Sequence, residues 1–98
     1  MKGFGKQQEK KIGYILLQPK HNDYLSMIKE SKDAVHIAWN EHPSKAMKFP
    51  SKQMATQAAK ELIKDKPVGY ELKICKLIDI GEQFKVEEVD RVIKLVNF

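Results

Sequence analysis

The sequence predicts an α+β domain, in which an antiparallel sheet of three or four strands carries one helix, about residues 52–64, on one face. Its 98 residues, 42% of them hydrophobic, suit a single domain with one modest core. Short apolar segments bounded by polar turn residues predict the strands, and an apolar stripe with helical spacing predicts the helix. We therefore expect one domain over residues 12–98.

Residues 1–11 precede that domain as a predicted flexible basic arm. They contain two glycines and four lysines and show no apolar periodicity. A segment of this composition buries too little apolar surface to fold on its own. We expect the folded part of the chain to begin at Ile12.

Three strands are predicted before the helix. They are short apolar segments flanked by turn residues, at 12–18, 24–29 and 34–40. The second segment also fits a single helical turn. Because side chains alternate along a strand, Val35, Ile37 and Trp39 share one face of the third strand. We expect Trp39 in the core, with a stacking platform for a base as the alternative.

A short helical turn and then the main helix follow the third strand. Pro43 suits the first position of the turn. Ser51 stands where the N-cap of the main helix belongs, and Pro67 lies beyond its end. The apolar positions of the helix form one continuous stripe, made of Met54, Ala55, Ala58, Ala59, Leu62 and Ile63.

Two elements are predicted after the helix. Residues 68–80 alternate in polarity and then become more apolar, which is typical of a strand that enters the core late. Residues 84–98 fit a helical stripe, although their β-branched side chains favour a strand. The charges favour the helix, because acidic residues would lie near its N-terminus and Lys94 towards its C-terminus.

The lone Cys75 and the lack of a long apolar run predict a reduced, cytoplasmic protein. One cysteine cannot form a disulfide within the chain. No apolar run approaches the ~18 residues that a membrane span needs, and the first residues lack the apolar centre of a signal peptide.

Catalysis, metal binding and cofactors find little support in the sequence. His21, His36 and His42 are too scattered for a metal motif, and one cysteine makes no CxxC pair. The carboxylates lie in turns or on exposed faces, and the isolated glycines form no phosphate-binding loop. We therefore expect a protein that is not an enzyme and that holds no cofactor or metal.

The positive charge comes almost entirely from lysine. The formal net charge is +5, and Arg91 is the one arginine among 18 cations. Sequence-specific DNA recognition is disfavoured, because arginine rather than lysine suits bidentate reading of a base. Lys45, Lys48 and Lys52 crowd the strand–helix connection, where a helix N-terminus also favours an anion. They are the candidate binding site for a phosphate or an acidic surface; a solvated loop that contains lysines is the alternative.

Residues 39–49, followed by Ser51, an alanine-bearing helix and a strand, resemble small uncharacterised proteins of phages and prophages of Gram-positive bacteria. The shared signature is a polar turn, A-x-x-F-x-S, a helix with repeated alanines and a final strand, over about residues 12–80. The resemblance implies a mobile-element accessory protein in the host cytoplasm. That class includes inhibitors of bacterial defence systems and host-takeover factors.

Residues 51–62 are also similar to the last helix of double-stranded RNA-binding domains. In those domains, lysines at the helix start contact phosphates across the RNA major groove. Lys52 matches one of these lysines, whereas Gln53 replaces the second. The leading helix of that domain is not apparent here, and a strand follows where the domain should end.

Together these features predict a non-catalytic binding protein that acts by occupying a protein partner of the host or the phage. The alternative is a non-specific nucleic-acid-binding protein, whose lysine-rich surface would contact the phosphate backbone. An exposed edge strand would also allow a homodimer.

Overall fold

The computed structural model describes residues 10–96, which form a five-stranded sheet, one α-helix and one 3₁₀ turn. The strands are β1 Lys10–Gln18, β2 Asp23–Glu30, β3 Val35–Asn40, β4 Glu71–Asp79 and β5 Phe84–Ile93. Helix α1 is Lys52–Leu62, and the 3₁₀ turn is Pro43–Lys45. The strand order is β3-β2-β1-β4-β5, and all neighbouring strands are antiparallel. The predicted α+β fold is confirmed, with one strand more than the largest number expected.

The fifth strand shows that the favoured C-terminal helix was wrong. β5 pairs with β4 along its length, and Val89 is the extra residue of a bulge. Its β-branched side chains pack on the pleated sheet, and this packing outweighs the charge pattern that favoured a helix. The charges instead pair across the strands, for example Lys73 Nζ with Glu88 Oε1 at 3.2 Å.

The other predicted elements are present with small shifts of their boundaries. β1 begins at Lys10, so the last two residues assigned to the basic arm belong to the sheet; residues 1–9 lie outside the described residues. Ser51 is the N-cap of α1, because its hydroxyl accepts a hydrogen bond from the Met54 N–H at 3.1 Å. No helix in the described part of the chain is long and apolar enough to cross a membrane.

The sheet opens between β1 and β2, and the residues before α1 fill the opening. β1 and β2 pair only next to their connecting turn. Beyond it, Phe49 and Tyr14 exchange two backbone hydrogen bonds of 2.8 and 2.7 Å, and the Met47 N–H donates to the Leu25 carbonyl at 2.8 Å. Gly13 permits this approach, since a Cβ there would lie 3.0 Å from the Phe49 carbonyl oxygen.

Apolar clusters occupy both faces of the sheet. The cluster under α1 contains Leu16, Leu25, Phe49, Ala55, Ala59, Ile63, Leu72 and Ile74. The cluster on the opposite face contains Ile15, Ala46, Cys75 and Leu77. The helix lies mainly over β1, β4 and β5. The helix-side face of the β2–β3 hairpin is therefore covered at Leu25 and left open towards Val35 and Ile37.

Candidate functional site

The three predicted binding lysines lie on successive elements, and two of them have partners within the chain. Lys45 ends the 3₁₀ turn and is exposed, with no side-chain partner among residues 10–96. Lys48 Nζ donates to two backbone carbonyls of the strand–helix connection, at 3.1 and 2.9 Å. Lys52 Nζ lies 3.3 Å from Asp90 Oδ2 on β5. Lys48 thus holds the connection in place, and Asp90 partly balances the charge at the helix start.

Asp90 is held in its charged form beside the helix. The backbone N–H of Arg91 donates to its carboxylate at 2.8 Å, and this bond, with the neighbouring Lys52, lowers the pKa of Asp90 below its ordinary value. Asp90 is therefore negatively charged at neutral pH and attracts the Lys52 side chain. A phosphate that bound at the helix start would compete with Asp90 for this lysine.

A cleft with both apolar and charged lining residues lies between the β2–β3 hairpin and α1. Its volume is about 680 Å³, which falls in the size range of ligand-binding pockets. The hairpin contributes Ile28, Val35, Ile37 and Trp39, while α1 and the residues after it contribute Ala58, Leu62, Tyr70 and Leu72. We call it the hairpin cleft. It exists because α1 lies over β1, β4 and β5 and leaves part of the hairpin uncovered.

The side chains of β3 that were predicted to share a face do line this cleft. Trp39 is half-buried and packs against the main core cluster. Val35 and Ile37 remain 57% and 41% exposed. Trp39 therefore serves the core and the cleft together, whereas its two neighbours on this face offer apolar surface to solvent.

The two edges of the sheet differ in charge. β5 has a bulge at Val89. It also carries five charged side chains, which are Lys85, Glu87, Glu88, Asp90 and Arg91. Residues 34–40, which include all of β3, carry no lysine, arginine or carboxylate, and the extra residue in the β2–β3 ladder is Ser26 on β2. Natural sheets usually blunt an exposed edge with charges or bulges. β5 carries both of these devices, and β3 carries neither.

Carboxylates border the hairpin cleft. Glu30, Glu61 and Asp65 line it, together with Lys66. Glu61 pairs with the lysine three residues further on at 2.9 Å. The side chains of Glu30 and Asp65 have no ion pair or hydrogen bond with any other described residue. The rim of the cleft is thus locally negative in a chain whose net charge is +5.

The described residues contain no metal centre and no activated thiol. No group of three or more His, Cys, Asp or Glu side chains within residues 10–96 is placed to hold a metal ion. Cys75 is 1% exposed. Burial, with the charge of Glu88, raises the pKa of the Cys75 thiol to about 11, although Lys73 acts in the opposite direction. A buried thiol with a raised pKa is a poor nucleophile at neutral pH.

Comparison with known proteins gives no relative: no family model, no curated protein and no solved structure matches the chain. The surfaces of the molecule are therefore the guide to its function.

Proposed function

We propose that the protein is a non-catalytic binding protein that acts by occupying a protein partner, through β3 and the hairpin cleft. The observation that carries the proposal is the contrast between the two sheet edges. An unblunted edge strand offers a row of backbone N–H and C=O groups to an extended segment of another chain. β3 is such an edge, because within the described residues it pairs with β2 alone.

The apolar side chains beside this edge support the same surface. A partner strand would shield the exposed parts of Val35 and Ile37 from water, at roughly 25 cal/mol for each Å² of apolar surface buried. Backbone pairing would supply affinity without regard to sequence. The alternating side chains in the cleft would then supply specificity.

The resemblance to phage and prophage proteins is consistent with this function. Accessory proteins of that class include inhibitors of defence systems and host-takeover factors. We propose that the partner is a protein of the host or the phage and that binding takes place in the host cytoplasm.

A non-specific nucleic-acid binder is the second candidate. Lys45 is exposed without a partner in the described part of the chain, and Lys52 lies in the first turn of α1. Phosphate contacts of this kind need several available cations. Lys48 and Lys52 already have partners, so we favour the protein-binding function.

Two parallel assays separate the candidates. One titrates labelled double-stranded RNA and DNA at low and moderate salt, and the other captures proteins from the lysate of a Gram-positive host. The variants are Val35→Lys with Ile37→Lys, which adds charge to the β3 edge, and the triple alanine variant of Lys45, Lys48 and Lys52. Phe84→Lys on the opposite edge is the matched control.

We expect a captured protein that is lost with the β3 variant and retained with the triple variant and with Phe84→Lys. Tight nucleic-acid binding that falls steeply with salt and disappears in the triple variant would overturn the proposal.

A further inference from the structure

We infer that the segment captured at β3 is extended, with an apolar centre flanked by lysine or arginine. This inference rests on the proposed function and names the chemistry of its partner. Two features lead to it: the carboxylates around the hairpin cleft and the alternating apolar side chains of β3.

The carboxylates Glu30 and Asp65 lie on opposite walls of the cleft, on the hairpin and after α1. Neither has an ion pair or a side-chain hydrogen bond with another described residue. Unpaired carboxylates of this kind attract a cationic side chain and repel an anionic one. The cleft therefore favours basic residues at the ends of the segment that it binds.

The net charge of the chain does not cancel this local preference. Interactions between exposed charges are screened beyond about 8 Å at physiological ionic strength. Among the described residues that line the cleft, Lys66 is the only cation. Lys29 pairs opposite His36, and its side chain lies on the face of the hairpin away from the cleft. The carboxylates that line the cleft thus have a larger effect on the charge of a bound segment's surroundings than the more distant lysines have.

The centre of the captured segment follows from β3 itself. Val35, Ile37 and Trp39 face the cleft at alternate positions of a strand of 6 residues. A strand added at this edge would place its own alternate side chains opposite them. Aromatic and β-branched pairs are favourable at such positions, so an apolar centre of similar length fits best.

Other occupants fit less well. The β3 strand of a second copy carries no charged side chain within residues 34–40, so it would leave Glu30 and Asp65 unpaired. A nucleic acid would bring phosphates towards the same carboxylates. An extended protein segment with basic flanks and an apolar centre complements both the carboxylates of the cleft and the apolar side chains of β3.

Two synthetic eight-residue peptides test the inference on the full chain. They share a centre of alternating valine and isoleucine, and one has lysine at both ends where the other has glutamate. Fluorescence anisotropy measures binding to the wild type and to Glu30→Gln with Asp65→Asn. The control is Glu82→Gln with Glu87→Gln, which removes two charges on or next to β5, at the opposite edge of the sheet. Far-UV circular dichroism checks that each variant is folded.

We expect the lysine-flanked peptide to bind about tenfold more tightly at low salt, which corresponds to ~1.4 kcal/mol. This preference should vanish in the cleft variant and persist in the control. Equal binding of both peptides, or tighter binding of the glutamate-flanked one, would overturn the inference and leave the edge site standing. Binding of neither peptide would count against the inference and the proposed site together. Self-association that Ile37→Lys abolishes would assign the edge to a second copy instead.

Discussion

Lys94 is a buried cation that closes the end of α1. Its side chain is 4% exposed, and Nζ donates to the backbone carbonyls of Ile63, at 3.3 Å, and of Lys64. The last carbonyls of a helix lack partners within the helix and carry partial negative charge. The ammonium therefore adds a donor at the two carbonyls that follow the last helical residue, and it links the end of α1 to the residues after β5.

Lys94→Met tests this role. Methionine fills a similar volume but leaves the carbonyls at the end of α1 without this donor, so we expect the free energy of unfolding to fall by about 2 kcal/mol. Urea denaturation measures the change. Lys60→Met, at an exposed position of α1, should change it by less than about 0.5 kcal/mol. Equal stability of the two variants would rule out a capping role for Lys94.

The buried thiol of Cys75 makes the stability of the fold depend on pH in the alkaline range. Its pKa is raised from 9.0 to about 11, mainly by burial. Below pH 9 the folded and unfolded states both keep the proton, whereas between pH 9 and 11 only the folded state does. The contribution of this group is therefore fully present below pH 9 and is lost as the pH rises through 11.

We expect the wild type to lose stability more steeply between pH 9 and 11 than Cys75→Ala, which lacks the titrating group. Urea denaturation at intervals across this window gives the two slopes. The comparison cancels the other groups that titrate there. Parallel curves would show that the thiol ionises equally in both states.

Among the elements, residues 47–49 lie between β1 and β2, where they form backbone hydrogen bonds to both strands. We call them the wedge. Gly13 is a position of close approach between this wedge and β1. A Cβ there would lie 3.0 Å from the Phe49 carbonyl oxygen and 3.3 Å from the Lys48 Cβ. Both distances are shorter than normal van der Waals contacts, so the wedge would have to move outward.

Gly13→Ala should therefore lower the free energy of unfolding by about 1–3 kcal/mol, as overpacking usually does. The local effect is the more specific one: the amides of Tyr14 and Phe49, which bond each other's carbonyls, should exchange with solvent faster. Hydrogen exchange followed by NMR measures this. Unchanged exchange at these two amides would show that β1 accommodates the methyl group without loss of the bridge.

The elements differ in how far local sequence determines them. Ser51 and the apolar stripe that follows predict α1, since capping and periodicity are local properties. The wedge has no such signal, because the pairing of Phe49 with Tyr14 joins residues far apart in the chain. The choice between helix and strand for β5 stayed open for a related reason: its valines fit either period, and only pairing with β4 selects the strand.

The candidate site shows the same limit. Alternation predicts that Val35, Ile37 and Trp39 share a face, and the uncharged run 34–40 is visible in the sequence. The sequence does not show that β3 is an edge strand or that α1 leaves the cleft face of β3 open. Both depend on the order of the strands, which is decided by long-range packing.

In the whole molecule, the half of the sheet that ends at β5 is covered and its edge is protected, whereas the half that ends at β3 is open. α1 covers β1, β4 and β5, and the charged, bulged β5 protects its own edge. The β2–β3 hairpin projects an uncharged edge strand beside the hairpin cleft with its negative rim. The lysines at the strand–helix connection are partly committed to contacts within the chain. On this arrangement we base the proposal that the protein captures a protein segment rather than a phosphate backbone.

Residue-resolved amide hydrogen exchange, of the free protein and of its complex with the captured partner, tests this claim most directly. We expect amides of Val35–Asn40 to become at least about tenfold more protected in the complex, because a new strand would pair with them. Phe84–Ile93 and residues 45–52 should stay unchanged. Protection confined to residues 45–52, with β3 as in the free protein, would show that the partner binds at the strand–helix connection and not at β3.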